Sequence, residues 1–283
     1  MLLDTFHKIN TGILRLRGFE SSFRTTSVGT LHVMSGAGRG EGPPVVIVHG
    51  LGARASTFQR VAPPLLALHR RVSLVEQLGH GDSDRPDVLD GRSLSQAIVE
   101  VLAEVSDADS LVYGTSLGAV TVLRFALAHP DRLAGLLLVA PGGAPQGLDE
   151  LVRTFSVNSR ADAAGLIARV MTRPSVLRWV VAGGTLRNFQ SRAIRSLLQN
   201  ARPEDLISPD ELRAVGAPLR VLWGRREHLL PPSHLAWWRE HLPSHGELRL
   251  VESGHSPHLD RPRMVLAEIA DFVASIPRAS GTR

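Results

Sequence analysis

The chain has 283 residues, 43% of them apolar, which suits one large domain, or one domain carrying an insertion, around a buried core. It contains no cysteine, so disulfides and thiolate chemistry are excluded, in keeping with a reducing compartment. The net charge of +5 does not signal nucleic-acid binding: Lys8 is the only lysine, the arginines are scattered, and the pairs Arg70-Arg71 and Arg225-Arg226 fall at element edges.

From the N-terminus, Leu2, Leu3, Phe6, Ile9, Ile13 and Leu16 recur at helical spacing, which predicts a helix over Met1 to Arg17 lying on the domain. A hairpin follows, Phe23 to Thr26 and Thr30 to Met34 about a Val28-Gly29 turn. Pro44 to Val48 is continuously apolar and β-branched, the mark of a strand buried on both faces. Ser56 to Leu68 reads as a helix broken at Pro63-Pro64, Val72 to Val75 as a strand, and Leu94 to Val105 as a helix capped by Ser93. Leu111 to Tyr113 is a strand, and Ser116 to His129 a helix ended by Pro130. Leu133 to Ala140 is a strand stopped by Pro141. The last strands are Leu219 to Trp223 and Leu248 to Val251, with helices over Ser233 to His241 and Met264 to Ala274. This alternation predicts a mostly parallel sheet with helices on both faces and the hairpin as an antiparallel edge. Between them the alternation stops: Ala161 to Met171, Ser175 to Val181 and Arg192 to Leu198 are helical in character. The expected organisation is an N-terminal amphipathic helix (1–18), a core in two parts (19–141 and 216–277), a helical cap (142–215) over the strands' carboxyl ends, and a tail (278–283).

The pentapeptide Gly114-Thr115-Ser116-Leu117-Gly118 lies between a strand and a helix. A serine there sits on a sharp turn, its hydroxyl pushed outward and flanked by the N–H groups that open the helix. A serine needs a base, and the base an orienting carboxylate. Of twelve histidines, His255 follows the last strand and reaches the same sheet edge as Ser116. His258 is read as structural, and His49 and His80 as fixing glycine-rich turns. Glu227 follows the penultimate strand, giving the order Ser116, Glu227, His255. The rival Asp260 is read as capping the final helix or holding the histidine loop. Oxyanion donors are expected from the backbone of Leu117 and of Leu51, in His49-Gly50-Leu51-Gly52.

These blocks, with Gly79-His80-Gly81-Asp82-Ser83, Trp223-Gly224-Arg225-Arg226-Glu227 and Gly254-His255-Ser256-Pro257-His258, stand in an order and spacing that resembles the α/β-hydrolase superfamily over residues 20–276. The resemblance implies a nucleophile elbow, a serine triad and a helical cap on an eight-stranded core. Glu227 and Glu76 stand where the family usually has aspartate, and Thr115 where it often has histidine. Dehalogenases and epoxide hydrolases of this fold use an aspartate nucleophile, which Ser116 excludes.

The reaction expected is cleavage of a carboxylic ester through an acyl-enzyme. The alternatives are carbon–carbon hydrolysis or cofactor-free perhydrolysis on the same triad, or ligand binding without turnover. No metal or nucleotide motif appears, so no cofactor is implied. His234 and His241 are read as a solvated helix face rather than a metal site. Phe155, Met171, Leu177, Trp179 and Phe189 either line a pocket for a hydrophobic acyl or aromatic ester or form the cap's own core. No apolar run approaches the roughly 18 residues of a membrane span, and no signal-peptide pattern opens the chain; the expected location is the cytoplasm.

Overall fold

The short apolar runs form the centre of the molecule. In the computed structural model, which describes residues 2–172 and 178–277, eight strands make one sheet. They are β1 (Phe19–Thr26), β2 (Gly29–Ala37), β3 (Val45–Val48), β4 (Arg71–Val75), β5 (Leu111–Thr115), β6 (Gly135–Val139), β7 (Leu219–Gly224) and β8 (Gly246–Val251). Their order is β1-β2-β4-β3-β5-β6-β7-β8. β1 and β2 pair antiparallel, as does β2 with β4, and every other pairing is parallel. The hairpin is thus the antiparallel edge, with strands longer than the sequence suggested.

Twelve α-helices are described: α1 (Leu2–Leu16), α2 (Ala62–Leu65), α3 (Gly91–Val105), α4 (Leu117–Ala128), α5 (Leu148–Phe155), α6 (Arg160–Val170), α7 (Arg178–Phe189), α8 (Arg192–Gln199), α9 (Pro209–Ala214), α10 (Pro232–His241), α11 (Pro257–Asp260) and α12 (Pro262–Ser275). Alternate strand residues point to opposite faces. Val46, Val48, Val112, Leu138 and Val221 pack under α3, α4 and α10. Val45, Ile47, Tyr113, Leu137 and Leu222 pack against α1, α2 and α12. Between β6 and β7 lies the helical insertion, α5 to α9, with its own small core of Phe155, Ala163, Leu166, Ala182, Phe189 and Ile194.

Several local expectations are corrected. The N-cap of α3 is Asp90, whose carboxylate accepts the Ser93 N–H at 2.7 Å, so Ser93 is the third helical residue. Pro63 and Pro64 do not break a helix; they stand in the first turn of α2, where a missing N–H costs nothing. The insertion holds α5, which the sequence did not suggest. Of the helix expected over Ser175 to Val181, residues 175–177 lie outside the described residues and the remainder opens α7. Met1 and the tail 278–283 also lie outside them. Finally, α1 does lie on the domain, and Leu3 packs against Gly184 of α7, but most of its apolar stripe faces away. Leu2, Phe6, Ile9 and Leu16 are exposed, whereas Asn10 and Leu14 are buried and His7 Nδ1 meets Ser56 Oγ at 2.9 Å.

Candidate active site

Ser116 sits between β5 and α4 with φ 53° and ψ −117°, a conformation that non-glycine residues rarely hold. Neighbouring glycines impose it. A Cβ on Gly118 would lie 2.4 Å from the His49 carbonyl oxygen and 2.6 Å from that of Val48. One on Gly114 would lie 2.5 Å from a Val122 methyl and 2.7 Å from the Gly118 carbonyl oxygen. Strand, turn and helix therefore close on each other only with glycine at both places. The Ser116 N–H donates to the Val139 carbonyl at 3.0 Å, which ties the turn to β6.

Glu227 leaves β7 and His255 leaves β8, at the same sheet edge. His255 Nδ1 lies 2.8 Å from Glu227 Oε2, and a carboxylate only accepts, so the ring nitrogen donates. Glu227 Oε1 accepts from the N–H groups of Leu229 (2.7 Å) and Leu230 (3.0 Å). Both side chains are about 95% buried. Burial pushes the Glu227 carboxyl up, but the His255 charge and hydrogen bond and the two backbone donors outweigh it, and its pKa lies below the ordinary value. The Nδ1 bond leaves Nε2 as the free face of the ring. Ser116 Oγ makes no hydrogen bond among the described residues, so the serine–histidine link is open here.

The loop after β3 approaches the serine closely: a Cβ on Gly50 would lie 3.0 Å from Ser116 Cβ. Among the described residues, the N–H groups of Leu51 and Leu117 donate to nothing, and both residues line the cavity beside Ser116. The two glycine-loop histidines hold this loop. His49 Nε2 accepts the Gln77 N–H at 3.2 Å, and His80 Nε2 accepts the Gly52 N–H at 2.9 Å. Burial lowers the pKa of both, that of His80 to about 3, which keeps each ring neutral and able to accept.

Glu76 does more than the sequence suggested. It is buried and accepts from the Ala55 N–H (2.8 Å), the Asp82 N–H (2.7 Å) and His32 Nδ1 (2.9 Å). Burial opposes its charge, but the His32 and Asp82 donors, with the nearby histidines, hold its pKa at about 2. One carboxylate thereby joins β2, the segment after the Leu51 loop and the Gly79–Ser83 turn. His32, Glu76 and Asp82 present ligand atoms within 4.8 Å of one another, yet the Glu76 oxygens are occupied by these bonds. No signal in the sequence joined His32 to Glu76, which are 44 residues apart.

A cavity of about 120 Å³ opens at Ser116. Its wall is almost wholly apolar, from Leu94, Val120, Leu148, Leu151, Phe155 and Leu197 among others. Of the five residues considered for such a pocket, Phe155 lines it. Phe189 stacks on Phe155 at 6.2 Å and abuts Gly52. Met171 and Trp179 do not line it, and Leu177 lies outside the described residues. Leu148, Leu151 and Val152, all on the unforeseen α5, supply much of the wall.

The rival residues have other partners. The Asp260 carboxylate accepts from the Thr172 N–H and Oγ1, both at 2.6 Å, and does not cap α12. His258 is buried, its ring stacked 4.2 Å from Phe58. His234 is not on a solvated face: it is fully buried, with Nε2 2.6 Å from the Gln146 carbonyl oxygen. His241 Nδ1 meets the Trp237 carbonyl one turn back, so the two do not converge.

Comparison with known proteins bears on the family and the fold. The family described as "Alpha/beta hydrolase family" matches residues 45–269. The pimeloyl-[acyl-carrier protein] methyl ester esterase of Nitrosomonas europaea is 28% identical, over 81% of this chain and 94% of that protein. Among solved structures, a membrane phospholipase A described as a bacterial virulence factor superposes with a TM-score of 0.80 at 22% identity, covering 98% of this chain and 93% of the other. The 2-hydroxy-6-oxo-6-phenylhexa-2,4-dienoate hydrolase of Rhodococcus sp. strain RHA1 gives 0.74 at 20% identity, covering 91% and 100%.

Proposed function

This chain belongs to the alpha/beta hydrolase family, and on that premise we propose that it is a serine hydrolase cleaving a carboxylic ester through an acyl-enzyme. The carrying observation is the buried 2.8 Å pair of Glu227 and His255 at the sheet edge where Ser116 holds its strained turn. In this reading His255 Nε2 takes the Ser116 proton as Oγ attacks the ester carbonyl. Glu227 stabilises the imidazolium and fixes the ring's tautomer. The N–H groups of Leu51 and Leu117 receive the oxyanion, each worth roughly 3 kcal/mol in the transition state. His255 then returns the proton to the departing alkoxide. Water, deprotonated by the same nitrogen, releases the acid and restores Ser116.

The apolar wall supports a hydrophobic acyl group, with α5 to α9, within residues 142–215, acting as the cap. The methyl ester esterase relative favours an ester over a carbon–carbon bond. Treatment with a fluorophosphonate probe, followed by peptide mass spectrometry, tests the nucleophile. The reading expects one adduct, on Ser116, abolished in His255→Ala; labelling elsewhere, or none, contradicts it.

A further inference from the structure

Two faces of α1 have opposite fates. Asn10, Leu14 and His7 turn toward the domain, while Leu2, Phe6, Ile9, Ile13 and Leu16 share a separate face at i, i+4, i+7, i+11 and i+14. Four of these are open to solvent, from 49% for Phe6 to 89% for Leu16. Single exposed apolar residues are ordinary; an aligned stripe of them marks an interaction surface. Ile13, partly buried, continues the stripe into a groove of about 630 Å³.

That groove supplies the second observation. Beside Ile13, Pro63 and Leu66 it is lined by Arg17, Arg39 and Arg60, all exposed, and by no carboxylate. Among the described residues, Arg17 and Arg39 make no ion pair, and Arg60 reaches only the Leu259 carbonyl oxygen at 3.3 Å. Along α1, Lys8 and Arg15 are exposed with no ion pair among the described residues, and the one acid, Asp4, meets Arg187 at 3.0 Å. An apolar stripe bordered by uncompensated guanidinium groups is complementary to phosphate headgroups above acyl chains. A second copy of the chain is disfavoured, because a two-fold contact would bring this cationic groove, which no carboxylate lines, near its own image. No described helix is long and apolar enough to cross a membrane, so any lipid contact here is at the surface.

We propose that α1 and the arginine groove dock this protein on an anionic phospholipid surface, the Phe6–Ile9 stripe entering the interface and the arginines contacting lipid phosphates. The contact stands apart from Ser116, so it does not rest on the hydrolase reading. It reaches the site through α7, which packs on α1 and whose Phe189 abuts Gly52, and through the turn Ala55–Phe58 after the Leu51 loop, where His7 meets Ser56.

The test is co-sedimentation of the full chain with phosphatidylcholine vesicles and with vesicles half phosphatidylglycerol. Wild type is compared with Phe6→Glu/Ile9→Glu and Arg17→Ala/Arg39→Ala, circular dichroism and the unfolding midpoint reporting the fold. The expected result is binding to the anionic vesicles about tenfold or more tighter than to the neutral ones, weakened by salt through screening and lost about tenfold in each folded variant. Should the acidic pair unfold the chain, wild-type lipid and salt dependence and the arginine pair still decide. Equal binding to both vesicles, no binding, or variants that bind like wild type overturn the proposal. So does a dimer in light scattering that Phe6→Glu/Ile9→Glu dissolves, which assigns the face to a second copy.

Discussion

The two oxygens of Glu227 are divided between two tasks: Oε2 receives His255 Nδ1 at 2.8 Å, and Oε1 receives the N–H groups of Leu229 and Leu230. The backbone fixes the carboxylate, and the carboxylate fixes the ring. The two residues after His228 turn back to hold the side chain of a glutamate at a position where the family usually has the shorter aspartate.

Glu227→Gln keeps the shape and loses the charge that stabilises the imidazolium, so kcat should fall by roughly 10³- to 10⁴-fold. Glu227→Asp keeps the charge but withdraws it by one methylene, for which a loss of about a hundredfold is expected. Steady-state rates on one soluble ester, with unfolding midpoints beside them, measure both. A glutamine variant as active as wild type would remove the carboxylate from the mechanism.

Gly118→Ala places a methyl against two backbone carbonyls that cannot move without parting β3 from α4. A loss of about 3 kcal/mol or more in urea unfolding is expected, with activity lost in the folded fraction. A stable, active alanine variant would show that the turn does not need this close approach.

Burial holds the His258 pKa down at about 3, and its Nδ1 has no hydrogen-bond partner among the described residues. An unfolded imidazole takes its proton near 6.5, the folded one only near 3. The stability this ring contributes is therefore complete above about pH 6.5 and is lost as pH falls through 3. His258→Phe preserves the stack on Phe58 and removes the titration, so its urea midpoint should fall less than wild type between pH 6.5 and 4. Parallel curves would mean that the ring is not held neutral.

Leu151→Trp fills the cavity from α5. Acetate esters should retain kcat/KM within about threefold, while longer acyl chains lose about tenfold or more. A uniform loss across the series would place the acyl group elsewhere.

The sheet was legible because β3 and β6 are apolar runs buried on both faces, β5 opens on one, and β7 is interrupted only by Arg220, with turn residues between them. Ser116 and its glycines were legible because a strand-to-helix turn this tight admits few residue types. By contrast, α5 is eight residues long and carries Asp149, Glu150 and Arg153, so its apolar side is too short to show a period. Periodicity in α1 revealed an apolar face but not which face docks; Asn10 and the His7–Ser56 bond settle that. The roles of Glu76 and His234 were not legible for another reason: their partners come from distant segments, and no local pattern records them.

Hydrolysis of p-nitrophenyl esters from acetate to decanoate, wild type beside Ser116→Ala, decides whether Ser116 is the nucleophile of an ester hydrolase. Turnover by wild type is expected, with a loss of about 10⁴-fold or more in a variant that folds equally well. Hydrolysis by Ser116→Ala within about tenfold of wild type, or by neither protein above background, would contradict it.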